Sequence, residues 1–285
     1  MAIDNAQILA ELDPDQLAVV TAISGPVCVI AGAGTGKTRV ITNRIAYAIN
    51  AGVTDPTKVL ALTFTAKAAG EMRARLRVLG ISNAAARTFH SAALKQLLYF
   101  WPYAFGGQFP SLLTTKSGFI SQAITRAEVA IPAQVNALRE IASEIEWAKV
   151  LEISPADYQE RAIESSRLVK LPNSKTQGEN LSMIAQVYEA YESLKKQERT
   201  LDFEDVLLLT VGMLEEDRGV RERVRDQYRY FTVDEYQDVS PLQQRLLNLW
   251  LGNREELCVV GDAAQTIYSF AGATTNFLLN FQNRF

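Results

Sequence analysis

The sequence comprises 285 residues, 48% of them hydrophobic and 21% charged, with 29 Lys and Arg against 32 Asp and Glu for a formal net charge of −3. This composition excludes disordered, collagen-like and fibrous classes and suits a globular protein of about two domains, or one large domain carrying an insertion. No stretch approaches the roughly 18 consecutive apolar residues of a membrane-spanning helix, and the acidic start MAIDNAQILAELDPDQ lacks the basic character of a secretory signal, so the expected compartment is the cytoplasm.

Charge is unevenly distributed. Residues 1–30 hold four acids and no Lys or Arg; residues 31–105 hold ten basic and two acidic residues, net +8; the remainder is net −7. Such a basic block is either a solvated face or the footprint of a polyanion, a nucleotide or a nucleic acid. Cys28 and Cys258 sit in apolar runs without metal-ligand spacing and read as reduced, buried thiols. His90 is the single histidine, which argues against a His-based metal centre or a Ser/His/Asp triad.

In chain order, the first apolar run is Val27–Ala31, followed by the turn AGAGTGKT (31–38) and a helical pattern over Lys37–Asn50. Gly32, Gly34 and Gly36 allow successive backbone N–H groups to point into one concavity, Lys37 adds a charge, and Thr38 offers a hydroxyl for Mg²⁺. Ala31 stands where the strict phosphate-loop pattern has its first glycine. A second strand is expected over Val59–Phe64, and a helix over Ala66–Leu79 with Ala69, Met72, Leu76 and Leu79 on its buried stripe, Arg73 and Arg77 on the wet face, and Gly80 ending it.

From about 109 to 198 strand signals vanish. Helices are expected over Thr115–Ala130, Pro132–Lys149, Pro155–Leu168 and Glu179–Arg199, with a loop at Leu171–Asn180 and Gly106-Gly107 near the exit. Apolar runs return at Tyr230–Asp234, ending in Asp234-Glu235, and at Leu257–Gly261, followed by Asp262, Gln265, Tyr268 and Phe270. Unbroken apolar strands alternating with helices predict a parallel sheet. The expected fold is α/β, a domain in two segments (1–108 and 199–285) split by an all-helical insertion (109–198). After a phosphate loop, a strand-terminal Asp-Glu pair points to metal binding through Asp234 and to a general base in Glu235. Gln265 is placed to sense a γ-phosphate, and Tyr268 and Phe270 read either as a platform for stacked bases or as core.

Five segments in this order, AGAGTGKT, TFTAKAAGEMRARL, TFHSAAL, VDEYQD and VVGDAAQTIYSFAGA, resemble the amino-terminal motifs of UvrD/Rep-type superfamily 1A DNA helicases, most of all the actinobacterial UvrD-like branch. The resemblance covers nearly all the chain outside the helical insertion. It implies a RecA-like P-loop NTPase fold and the cofactors ATP and Mg²⁺. Gln16 would recognise adenine and Arg39 would pack near the base; Ala33, Gly34, Thr35, Gly36, Lys37 and Thr38 would cradle the phosphates, with Thr38 and Asp234 at the metal. Lys37, Asp234, Glu235 and Gln265 would carry the hydrolysis chemistry. Thr63, Phe64, Thr88, His90, Tyr268 and Phe270 fall on positions lining the single-strand groove. The implied partners are single-stranded DNA, junctions of single- and double-stranded DNA and DNA-repair proteins, with no membrane. The family usually has arginine where this chain has Ala271, which bears on one contact at that groove. The family's later motifs, on a second RecA-like domain, are absent from these residues, so a fragment that binds nucleotide but hardly hydrolyses or unwinds is expected. Two other readings are the motor half of a helicase–nuclease subunit and a non-catalytic nucleotide- or DNA-docking module.

Overall fold

The computed structural model describes residues 4–172, 176–266 and 272–285. The elements run α1 (Asn5–Leu9), α2 (Pro14–Thr21), β1 (Val27–Ile30), α3 (Lys37–Asn50), β2 (Val59–Thr63), α4 (Ala66–Val78), β3 (Ala85–Thr88) and α5 (Phe89–Ala104). They continue through β4 (Ser111–Leu112), α6 (Ser117–Arg126), α7 (Val135–Val150), α8 (Tyr158–Glu164), α9 (Gln177–Gln197), β5 (Thr200–Leu201), α10 (Phe203–Glu216) and α11 (Arg218–Gln227). The last are β6 (Tyr230–Val233), α12 (Pro241–Leu251), β7 (Leu257–Gly261) and α13 (Asn276–Leu279). The chain divides into two compact units: one takes residues 4–100, 210–266 and 273–285, the other 101–172 and 176–209 with 272.

The first unit is built on a five-stranded sheet in the order β1-β7-β6-β2-β3, every pairing parallel. Strands β2, β6 and β7 are buried at every position, because helices cover both faces of the sheet; this is why their sequences show no in/out alternation. The register sorts the side chains. Val59, Ala61, Tyr230, Cys258 and Val260 share one face and pack with Ile41 and Ile45 of α3 and Met72 and Leu76 of α4. Cys28 pairs with Val259 and Cys258 with Val27, so the two thiols point to opposite faces and both are free. Burial pushes the Cys258 thiol up to about 11 and raises Cys28 as well.

Helix α4 follows its expected stripe: Ala69, Met72 and Leu76 are buried and Leu79 caps the helix. Gly80 adopts φ 83°, and the N–H of Ile81 closes back on the Leu76 carbonyl at 2.8 Å, a left-handed termination that an L side chain resists. Arg73 lies on the outer side, yet its guanidinium donates to the Ala86 carbonyl at 2.6 Å, satisfying an acceptor on the edge strand β3.

Strand β3 had no apolar run to announce it. Ala-Ala-Arg-Thr has weak strand propensity and only Ala86 is buried, so pairing with β2 decides its conformation.

The second unit is helical apart from β4 and β5, a short parallel pair in which the Ser111 and Thr200 hydroxyls lie 3.1 Å apart. This pair corrects the all-helical expectation. Three helices are also shorter than expected. Helix α6 stops before Glu128 and α8 before Ser166, both left-handed (φ 54° and 52°), while α7 starts only after the extended Gln134. Non-glycine residues in left-handed stops carry no sequence signal. At the start of α9, Thr176 and Glu179 form a reciprocal capping box, moving the helix start to Gln177.

A buried ionic cluster holds this unit together. Lys149 Nζ lies 2.8 Å from Asp202 and 3.1 Å from Glu192 and also meets Asp205; Lys195 reaches Asp202 at 2.8 Å and Asp205 at 2.6 Å; the Tyr191 hydroxyl donates to Asp202 at 3.0 Å. Burial opposes ionisation of Asp202, but Lys149, Lys195 and Lys116 outweigh it and hold its carboxyl well below the usual range. Glu192, Asp202 and Asp205 cluster closely enough to suggest a metal, but the two ammonium groups already serve them. Removing one partner from such a cluster strands a buried charge. Lys149→Ala is expected to destabilise the protein by about 3 kcal/mol, at the lower end for a broken buried pair because Lys195 remains; a lowered urea midpoint for this unit is the readout.

Candidate functional site

The site is assembled at the carboxyl ends of the parallel strands, where the chain turns from strand to helix. After β1, the backbone passes through Gly34 (φ 77°) and Gly36 (φ 82°), both left-handed, and enters α3 with Gly36 at its N-cap and no side-chain cap. The first N–H groups of a fourteen-residue helix are thus left for an acceptor from outside, the arrangement that binds phosphate. A Cβ on Gly34 would meet nothing within 4 Å, so its left-handed backbone, not crowding, is what favours glycine there. Gly32 needs no left-handed backbone; its carbonyl accepts from Thr35 Oγ1 at 2.9 Å, which stiffens the turn.

Residues distant in sequence meet here. Asp234, at the tip of β6, is 5% exposed and lies within the electrostatic reach of Lys37 and close to the Thr38 hydroxyl. Burial, and then the charge of Glu235, pushes its carboxyl up to about 6, against the pull of Lys37 and Thr38. Adjacent carboxylates with so little positive charge to balance them, beside a hydroxyl, are a hard-oxygen donor set that fits a divalent cation. On the neighbouring β7 tip, hydrogen bonds from Gln265 and from the Ala264 N–H hold the Asp262 carboxyl below the usual range, with Lys37 adding to the effect.

On the other side of the turn, Gln16 Nε2 donates to the Thr35 carbonyl at 3.0 Å and Arg39 Nη2 donates to Gln16 Oε1 at 2.7 Å. The two residues expected near adenine therefore clasp each other over the loop. A cleft of about 610 Å³ opens beside them, lined by Asp13, Gln16, Cys28, Ile30, Thr35 and Lys37 among others. A larger hollow of about 730 Å³ in the helical unit lies elsewhere, but its carboxylates Glu146 and Glu204 are both engaged by Lys116 and it offers no turn of backbone donors.

Thr63 and Thr88 are register partners at the carboxyl ends of β2 and β3. Thr63 is buried and its hydroxyl donates to the Thr65 carbonyl at 3.1 Å; Thr88 and Ser91 cap each other at the start of α5, the Thr88 hydroxyl accepting from the Ser91 N–H at 3.1 Å. Phe64 and His90 follow these strands and are half-buried. The sheet order sets Thr63, Phe64, Thr88 and His90 along the same edge as the phosphate turn, with β6 and β7 between. Tyr268, Phe270 and Ala271 lie outside the described residues.

The sequence profile of the UvrD/REP helicase N-terminal domain matches residues 12–285. The chain belongs to the UvrD/REP helicase family. Among curated relatives, it is 46% identical over 296 aligned residues to the ATP-dependent DNA helicase UvrD2 of Mycobacterium tuberculosis, covering all of this chain and 41% of that protein. It is 35% identical to a probable DNA helicase II homolog of Mycoplasma capricolum, covering all of this chain and 38% of the relative. It is 33% identical to the ATP-dependent DNA helicase PcrA of Leuconostoc citreum, covering 94% of this chain and 34% of the relative. The chain thus spans about two fifths or less of the length of these relatives. The higher identity to a mycobacterial UvrD2 agrees with the actinobacterial placement. Among the described residues, no helix of this UvrD/REP member is long and apolar enough to cross a membrane.

Gln237 and Gly261 join the site only through the fold, Gln237 Oε1 accepting the Asp262 N–H against Gly261. Both stand inside the quoted motifs, but glutamine and glycine there carry no charge or nucleophile to single them out; only the packed strand tips give them a task.

Proposed function

We propose that this chain is the ATP-binding and single-stranded-DNA-binding part of an ATP-dependent 3′-to-5′ DNA helicase or translocase acting in DNA repair or replication. The observation that carries the reading is the meeting of Lys37, Thr38 and Asp234 at the mouth of an uncapped helix. Lys37 and the N–H groups of the 33–38 turn bind the phosphates, Gln265 contacts the terminal one, and Gln16 and Arg39 exchange their mutual bond for contacts with the base. Mg²⁺, held through Thr38 and Asp234, supplies charge neutralisation of the phosphate oxygens when bound. Glu235 takes the proton of the attacking water onto its carboxylate.

The 1–108 and 199–285 segments act as one RecA-like domain and 109–198 as an insertion domain. A second RecA-like domain, carried by a longer polypeptide, closes over the nucleotide and contributes arginines worth ~10³–10⁵ in rate. Thr63, Phe64, Thr88 and His90, with Tyr268 and Phe270, form the single-strand groove, where stacking contributes ~1–3 kcal/mol per base. The net +8 of residues 31–105 attracts the DNA backbone without sequence preference.

The test is ATP turnover of the full-length protein with and without single-stranded DNA. Turnover stimulated by the DNA is expected; none in either condition would leave a docking module instead.

A further inference from the structure

Gln237 stands in the VDEYQD segment, yet none of the roles above uses it. Its side chain is 1% exposed and fully engaged. Nε2 donates to Glu235 Oε2 at 2.9 Å and to Asp238 Oδ2 at 3.3 Å, while Oε1 accepts the backbone N–H of Asp262 at 3.0 Å. One amide therefore ties the tip of β6 to the tip of β7. From Asp262 the chain of contacts continues, since its carboxylate accepts from the Gln265 amide. On the other side, Thr266 Oγ1 donates to Asp238 at 3.0 Å.

Space is kept for this amide. A Cβ on Gly261, the last residue of β7, would lie 2.6 Å from Gln237 Oε1 and 3.2 Å from the Gln237 backbone nitrogen. Gly261 does not have positive φ, so its missing side chain serves the close approach, of Gln237 and also of Leu278 Cδ2 at 3.0 Å, and not a backbone turn. Glu235 itself is left-handed at φ 52°, a strained conformation for a non-glycine residue that persists only where the surrounding contacts hold it.

We propose that Gln237 is a positioning residue for Glu235, pinning Oε2 so that Oε1 faces the water to be deprotonated, and that Gly261 holds Gln237 in register. A neutral amide suits this task. It orients a carboxylate without the cationic charge that would depress its basicity, and its carbonyl sets the base relative to the Asp262–Gln265 turn. The inference rests on the reading of Glu235 as general base.

The experiment measures, on the full-length protein, kcat with saturating single-stranded DNA and the dissociation constant of a fluorescent non-hydrolysable ATP analogue with Mg²⁺. Gln237→Glu keeps the acceptor for Asp262 but loses the donor to Glu235; Gly261→Ala keeps the glutamine and displaces it. Each is expected to lower kcat about tenfold or more, since small misplacements of a reacting group are costly, while the dissociation constant changes less than about threefold. Because both act through the same contact, the double variant should be no more than about twofold slower than the slower single variant. The proposal is overturned if both variants turn over within about threefold of wild type, if kcat and affinity fall together in both, or if the two losses multiply in the double variant. Failure of the underlying reading looks different: wild type would not hydrolyse ATP, or Glu235→Gln would retain wild-type turnover.

Discussion

Glu235→Gln is expected to reduce ATP turnover of the full-length protein ~10²–10⁴-fold, the range removed with a general base, while nucleotide still binds within a few-fold of wild type. The separation follows from geometry. The substitution is nearly isosteric, leaves Asp234, Lys37 and Thr38 in place, and keeps a carbonyl oxygen able to accept from Gln237 Nε2, now 2.9 Å from Glu235 Oε2. What disappears is the capacity to take a proton. Single-turnover hydrolysis and equilibrium binding of a fluorescent nucleotide, run side by side, separate the two quantities. Near-normal turnover would remove Glu235 from the role.

Lys37→Ala should act on binding itself. Loss of one charge-assisted contact to phosphate, worth ~1.5–3 kcal/mol, weakens nucleotide binding ~10–100-fold, and the missing ammonium also withdraws positive charge from around the already burdened Asp234 carboxyl. Binding of Mg²⁺ and nucleotide by titration calorimetry is the readout. Unchanged affinity would mean that the 33–38 turn is not the phosphate cradle. The two variants are complementary: one strikes affinity and the other turnover, and a protein that merely misfolded would lose both together.

Much of the architecture can be read from local pattern. Four of the five strands of the main sheet stand out as apolar runs; for β2, β6 and β7 the reason is that helices covering both faces remove polar positions from a buried strand. Helix α3 and its glycine-rich approach are legible because the left-handed positions Gly34 and Gly36 are glycines and the lysine and threonine follow at fixed spacing. Helix α4 is legible through its stripe and through Gly80.

Other features depend on what lies across the fold. Strand β3 exists because β2 offers it a ladder, and β4 and β5 because Thr200 and Ser111 meet across 89 residues of sequence. The early ends of α6 and α8 rest on left-handed Glu128 and Ser166, residue types that announce no stop.

The sequence by itself determined the chemical inventory: a glycine-rich turn running into a helix, a carboxylate pair at a strand end, a basic block over residues 31–105 and the order of motifs that marks the family. Spacing and residue type suffice for these because each depends on neighbours within a few positions. Only the tertiary structure decided that β7 lies between β1 and β6, which sets Asp262 and Gln265 beside the glycine-rich turn and brings Gln237 against Gly261. Parallel strands are joined by long crossovers, so their order leaves no local imprint, and contacts between strand tips are fixed only when the whole sheet has formed.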